Sequence, residues 1–173
     1  MTSEKFMAFL QSTKQSKPCI DWDAKKSKWL KQVDTLYCLI QESFSSFEKE
    51  VSLKRSTIDI NEEFVGCYET ERLTLELPSA EVTFTPKGLN VIGAQGRVDI
   101  EGPAGKVKLV LVPKSASKAK IQIDFESESS EELNENSALE DIVWKIATPA
   151  PNIRFIDLTQ ENLLDAIMEV VNG

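Results

Sequence analysis

The chain has 173 residues, 41% hydrophobic and 28% charged, with 28 acids against 20 bases for a net charge of −8. That length holds one well-buried core and is short for two ordinary domains, so residues 1–173 read as a single domain. The acidic balance argues against a nucleic-acid surface, and no apolar run approaches the roughly 20 residues that span a bilayer.

Residues 1–50 read as helical. Ser3 opens a short amphipathic helix with Phe6, Met7, Phe9 and Leu10 at helical spacing, and SKPC at 16–19 ends it. The start MTSEKFMAFLQSTKQ lacks a basic leader and a continuous apolar stretch, which points to a cytoplasmic protein. From Asp21 a longer helical stripe follows: Trp22, Trp29, Val33, Leu36, Ile40, Phe44, Phe47 and Val51. Lys25, Lys26, Lys28 and Lys31 lie mostly off it near the start, and Glu42, Glu48 and Glu50 near the end, the reverse of what a helix dipole favours.

Beyond residue 51 the period changes to two, and 51–125 reads as a meander. TIDIN at 57–61, RLTLEL at 72–77, AEVTF at 80–84, RVDIE at 97–101 and KIQIDF at 120–125 alternate apolar with polar residues. PS at 78–79, TPKG at 85–88, GAQG at 93–96 and GPAG at 102–105 supply turns of hairpin length, which join antiparallel neighbours. LVLVP at 109–113 is apolar on both faces and reads as a central strand. Residues 126–141 carry seven acids and no base and read as an exposed acidic loop. Residues 142–173 then give a strand with Ile142, Trp144 and Ile146, a break at TPAPN, an extended IRFIDL, and a helix capped by Thr159. Leu163, Leu164, Ile167, Met168, Val170 and Val171 form its inward side. The fold class is α+β: N-terminal helices, an antiparallel meander of about six to seven strands, open or partly barrelled, and a C-terminal helix, with helices covering one sheet face.

Val91 to Lys114 holds four of the seven glycines, so a phosphate loop has to be tested. Gly105-Lys106 is followed by Val107 in place of Ser or Thr, and Ile100 stands where the first P-loop glycine belongs. Gly93, Gly96, Gly102 and Gly105 also miss the dinucleotide spacing, and a strand follows them in place of a helix. Two tight turns flanking strand 97–101 fit, with glycine supplying positive φ.

The chain has no histidine, which excludes Ser-His-Asp and Cys-His catalysis and removes the commonest ligand for zinc, copper and iron. Three cysteines, no two closer than 19 positions, make neither a disulfide framework nor a metal site; Cys38 and Cys67 read as small core residues. Asp99 and Glu101 read as a solvated strand face paired with Lys106 or Lys108, and Trp22 and Trp29, seven apart, as one helical face covering the sheet. No catalytic residue, metal site or cofactor is expected.

These features lead to a non-enzymatic cytoplasmic protein-binding module, of the accessory, adaptor or inhibitor/immunity type. Its partner is another protein or a second copy, with neither nucleic acid nor membrane. The candidate partner-binding residues are Glu126, Glu128, Glu131, Glu132 and Glu135 of the acidic loop, with Arg72 and Arg97 on the polar sheet face. The alternative is a carboxylate-based enzyme or a small-ligand sensor with a pocket on the sheet.

Overall fold

The computed structural model describes residues 5–7, 20–118 and 141–173. Asp21 starts the long helix, α1 (Trp22–Ser43), by accepting a hydrogen bond from the Ala24 N–H at 2.9 Å. Trp29, Val33, Leu36, Tyr37 and Ile40 form its buried side. The stripe continues to Val51 in sequence, yet α1 stops at Ser43. Ser43 and Ser45 donate to the carbonyls of Leu39 and Glu42, competing with the backbone ladder, and a 3-10 turn at Ser45–Phe47 leads into the sheet.

Among the described residues seven strands follow: β1 (Ser52–Glu62), β2 (Gly66–Glu76), β3 (Glu81–Gly88), β4 (Arg97–Glu101), β5 (Lys106–Pro113), β6 (Ile142–Ala147) and β7 (Phe155–Asp157). They lie in chain order, every neighbour antiparallel, in an open sheet with β1 and β7 at its edges. The C-terminal helix α2 (Gln160–Asn172) begins at Thr159, whose hydroxyl accepts from the Asn162 N–H. Both helices pack in one cluster with Leu73, Leu75, Val82, Phe84, Val98, Ile100, Leu109 and Ile146, so they cover the same sheet face. A smaller cluster, Val110, Val112 and Ala147, lies on the other side of β5 and β6, where Ile153 and Phe155 cover it. LVLVP is thus buried on both faces, as its composition requires.

Three local readings change. TPKG continues β3 to Gly88 through an irregularity between Pro86 and Gly88, where it had read as a turn; the crossing to β4 is the longer loop 89–96. Of the four glycines around β4, only Gly93 has a positive φ, 78°. Gly96 and Gly102 serve close approach instead, since a Cβ at 96 would enter the Trp29 ring and one at 102 would meet the Val170 carbonyl of α2. The strand expected at 120–125, the start of the short helix at Ser3 and most of the acidic loop lie outside the described residues.

The third change concerns burial in β2. Leu73 and Leu75 are buried near its end, but Tyr68 and Thr70 are buried near its start, although the β1–β2 register runs without a slip from Ser52↔Glu76 to Glu62↔Gly66. β3 pairs only with Leu73 to Glu76, so the remainder of β1 and β2 is a two-stranded ribbon. Such ribbons twist more than broad sheets, and the twist carries the Tyr68 side round to the Trp29 cluster.

Gly96→Ala should destabilise the fold by about 1–3 kcal/mol, because the methyl and the Trp29 ring claim one space. Gly105→Ala, with no atom near its Cβ and no positive φ, should leave stability unchanged or slightly raised. Urea-unfolding midpoints of the two variants check the contrast.

Candidate functional site

The first three turns of α1 present Trp22, Lys25, Lys28, Trp29 and Gln32 on one side, at steps of three, three, one and three. Facing them is the β3–β4 loop, Leu89 to Gln95, and Leu111 of β5 lies at the bottom of the groove between. The groove holds about 300 Å³, and its lining includes two lysines and no acid.

The loop is held at both ends. The Glu62 carboxylate accepts the Leu89 and Asn90 N–H groups, at 3.1 and 2.8 Å, together with the Tyr68 hydroxyl. It fills the space a Cβ of residue 88 would occupy, which is why glycine stands there, at φ 129°. At the far end the Gln95 N–H donates to the Leu111 carbonyl and the Leu111 N–H to that of Gly96, at 2.8 and 2.9 Å. Between these ties a turn closes at Val91 and Ala94 and leaves Ile92 97% exposed.

The β1–β2 turn supplies another rim residue. Phe64 sits in the left-handed region at φ 69°, a conformation that costs a non-glycine residue roughly 1–2 kcal/mol, and remains 69% exposed. Its ring stacks on Trp22 with centroids 5.8 Å apart and planes 14° apart, and the Lys25 ammonium lies 5.1 Å from the Trp22 centroid. One end of the molecule thus carries exposed Phe64 and Ile92, half-buried Trp22, and lysines beside a groove.

The residues singled out in sequence fall elsewhere. Arg72 in β2 and Arg97 in β4 are separated by β3 and are not brought together. Arg97 makes two bonds to Asp99, at 2.6 and 2.8 Å, and Lys106 pairs with Glu101 at 2.7 Å and with Asp99 at 3.6 Å. The expected pairing with Lys106 is present, but Asp99 is 0% exposed, so in place of a solvated strand face it sits in an ion-pair cluster in which the long cations shield the short carboxylate. Its hydrogen bonds raise the Arg97 pKa further above the usual guanidinium range. The Arg72 Nε is buried without a partner, and among the described residues the side chain makes no ion pair. Glu126, Glu128, Glu131, Glu132 and Glu135 lie outside the described residues.

Cys38 and Cys67 are exposed, correcting their assignment to the core. Cys38 follows Tyr37 and points off the buried line of α1; Cys67 lies on the outward side of the twisted ribbon, alternating with buried Tyr68. Among the described residues no three His, Cys, Asp or Glu side chains come together to hold a metal ion. Sequence reading passed over Phe64, and over Ile92 beside the turn at GAQG, 93–96. The available signal was a large aliphatic directly before the positive-φ Gly93.

Two tyrosines hold the site's supports. The Tyr37 hydroxyl donates to the carbonyls of Glu71 and Phe84, at 2.7 and 3.1 Å, and the Tyr68 hydroxyl donates to Glu62. Burial raises both phenol pKa values well above the ordinary 10, and for Tyr68 the Glu62 carboxylate raises it further. Each therefore holds its proton more tightly folded than unfolded. Their contribution is complete below about pH 10 and is lost as pH rises through the folded values, so stability should fall from about pH 10 upward. Tyr68→Phe should flatten part of that fall, as read from urea unfolding between pH 8 and 11.

Comparison with protein-family models, curated proteins and solved structures gives no match to this chain.

Proposed function

We propose that this chain is a protein-binding module, of the accessory, adaptor or inhibitor type, and that it takes its partner at the end formed by Trp22, Phe64, Ile92 and the groove beside them. The observation that carries this reading is the pair of exposed apolar side chains, Phe64 and Ile92, held on two tied loops at the rim of a concave surface. Phe64 keeps a costly backbone conformation while contributing little to the core, which suits a residue retained for contact. Lys25 and Lys28 add positive charge to an otherwise acidic chain, so the fitting segment carries acidic and apolar side chains. Exposed, free Cys38 and Cys67 suit a reducing compartment and thus a cytoplasmic setting.

A second reading uses the same groove. Its volume, near the lower end for ligand pockets, and its two ammonium groups suit a small anionic ligand, as in the sensor alternative. A carboxylate enzyme has less support, because Asp99 and Glu101 are neutralised by Arg97 and Lys106.

The test places a photo-crosslinking residue at Ile92 and, as a control on the β4–β5 turn, at Gly105. A protein captured from Ile92 but not Gly105, and lost when Lys25 and Lys28 are both changed to Glu, supports the module. Equal capture by the wild-type and charge-reversed chains sinks it, and a small anion recovered in place of a protein selects the sensor. Phe64→Gly relieves the left-handed strain, so stability should stay within about 1 kcal/mol of wild type. Affinity for the captured partner should fall about tenfold or more, as measured by calorimetry.

A further inference from the structure

β1 stands at the edge of the sheet with β2 on one side and, among the described residues, no strand on the other. Its 11 residues are about twice the ordinary strand length, and its open row of backbone N–H and C=O groups is a template for another strand. The opposite edge, β7, has three residues. Long edges are commonly guarded by proline, bulges or outlying charges. β1 has no proline, its register with β2 is unbroken, and its centre, Ser56 to Ile58, is uncharged. Its cations lean back onto their own chain, Lys54 to Glu76 at 2.6 Å and Arg55 to Asp34 and Glu71 at 2.7 and 3.1 Å.

In a chain of net −8, β1 carries Lys54, Arg55, Asp59 and Glu62 and is itself neutral. Its cations occupy the first half and its acids the second. An antiparallel copy therefore brings unlike halves together, whereas a parallel copy in register sets like against like. We infer that two copies of this chain pair antiparallel through β1, joining their sheets into one continuous sheet about a two-fold axis.

Opposed residues in an antiparallel pair share a sheet face, so each residue of β1 meets one of its own parity. Centring the axis on Thr57 sets Arg55 opposite Asp59 twice. Asp59 is exposed and has no ion pair of its own among the described residues. Arg55 uses Nη1 for Asp34 and Glu71 and Nη2 for Gln41, which leaves donors among its five N–H groups. Centring on Ser56 pairs no opposite charges. Centring on Ile58 relies on Glu62, whose carboxylate is already taken by Tyr68, Leu89 and Asn90. The axis therefore passes through Thr57.

Light scattering on the eluting wild-type chain should give twice the 19.4 kDa chain mass. Asp59→Lys sets a second cation against Arg55 and should weaken self-association at least tenfold without altering the circular dichroism spectrum. With Cys19, Cys38 and Cys67 replaced by serine, Thr57→Cys should link covalently to its copy under mild oxidation, since a residue on the axis lies within about 6 Å of itself. Asn61→Cys, roughly 27 Å from its copy at strand spacing, should not. A wild-type chain that stays monomeric when concentrated overturns the inference. So does a dimer that survives Asp59→Lys and fails to link through Thr57→Cys. Linking of Thr57→Cys to a different protein in place of a second copy assigns the edge to another partner and also overturns it.

Discussion

The seat of Trp29 against the backbone at Gly96 decides where α1 lies on the sheet. The ring occupies space that any side chain at 96 would need, and its other neighbours, Trp144 at 5.9 Å between centroids and the Tyr68 ribbon, approach from different strands. Two further ties remove the remaining freedom of the helix. The Trp144 indole N–H donates to the Gln32 carbonyl, and the Tyr37 hydroxyl bridges carbonyls of β2 and β3. Because hydrogen-bonded buried polar groups are expensive to leave unpaired, these ties fix both translation and rotation. The groove follows from this seating: one wall is α1 and the other is the loop that ends at Gly96.

The ion pairs follow a different logic from the core. On the face away from the helices, Asp99 is enclosed by Arg97 and Lys106, which pack their stems over the sheet while their charged ends stay partly wet. The cluster covers the middle of the face opposite the one that α1 and α2 pack against. At the edge of the sheet, Lys54 and Arg55 are likewise directed inward to Glu76, Asp34 and Glu71. Among the described residues Asp59, Arg72, Lys25 and Lys28 take part in neither of these two ion-pair groups.

Much of the architecture was legible because it depends on short-range pattern. The helix start at Asp21, the N-cap at Thr159, strand 97–101, the central character of LVLVP and the sharing of one face by both helices all rest on period, turn residues and composition. What was not legible depends on contacts far apart in sequence. Gly96 and Gly102 resemble turn glycines until Trp29 and Val170 are set against them. Cys67 resembles a core residue until the ribbon twist reverses the buried side of β2. The candidate site was missed for the same reason: Trp22, Phe64 and Ile92 are separated by dozens of residues and meet only when the helix start, the hairpin turn and the loop converge.

The simple order of the strands bears on how the chain is made. Among the described residues every sheet neighbour is also the next strand in sequence, so the connections from β1 to β5 can each close soon after they are synthesised. α1 is different, since its tie to Trp144 spans 112 positions and Gln160 reaches back 117 positions to the Ser43 carbonyl. α1 therefore waits for β6 before its aromatic side is fully covered. Throughout that interval Trp29, Tyr37 and Ile40 form the sticky surface of the nascent chain.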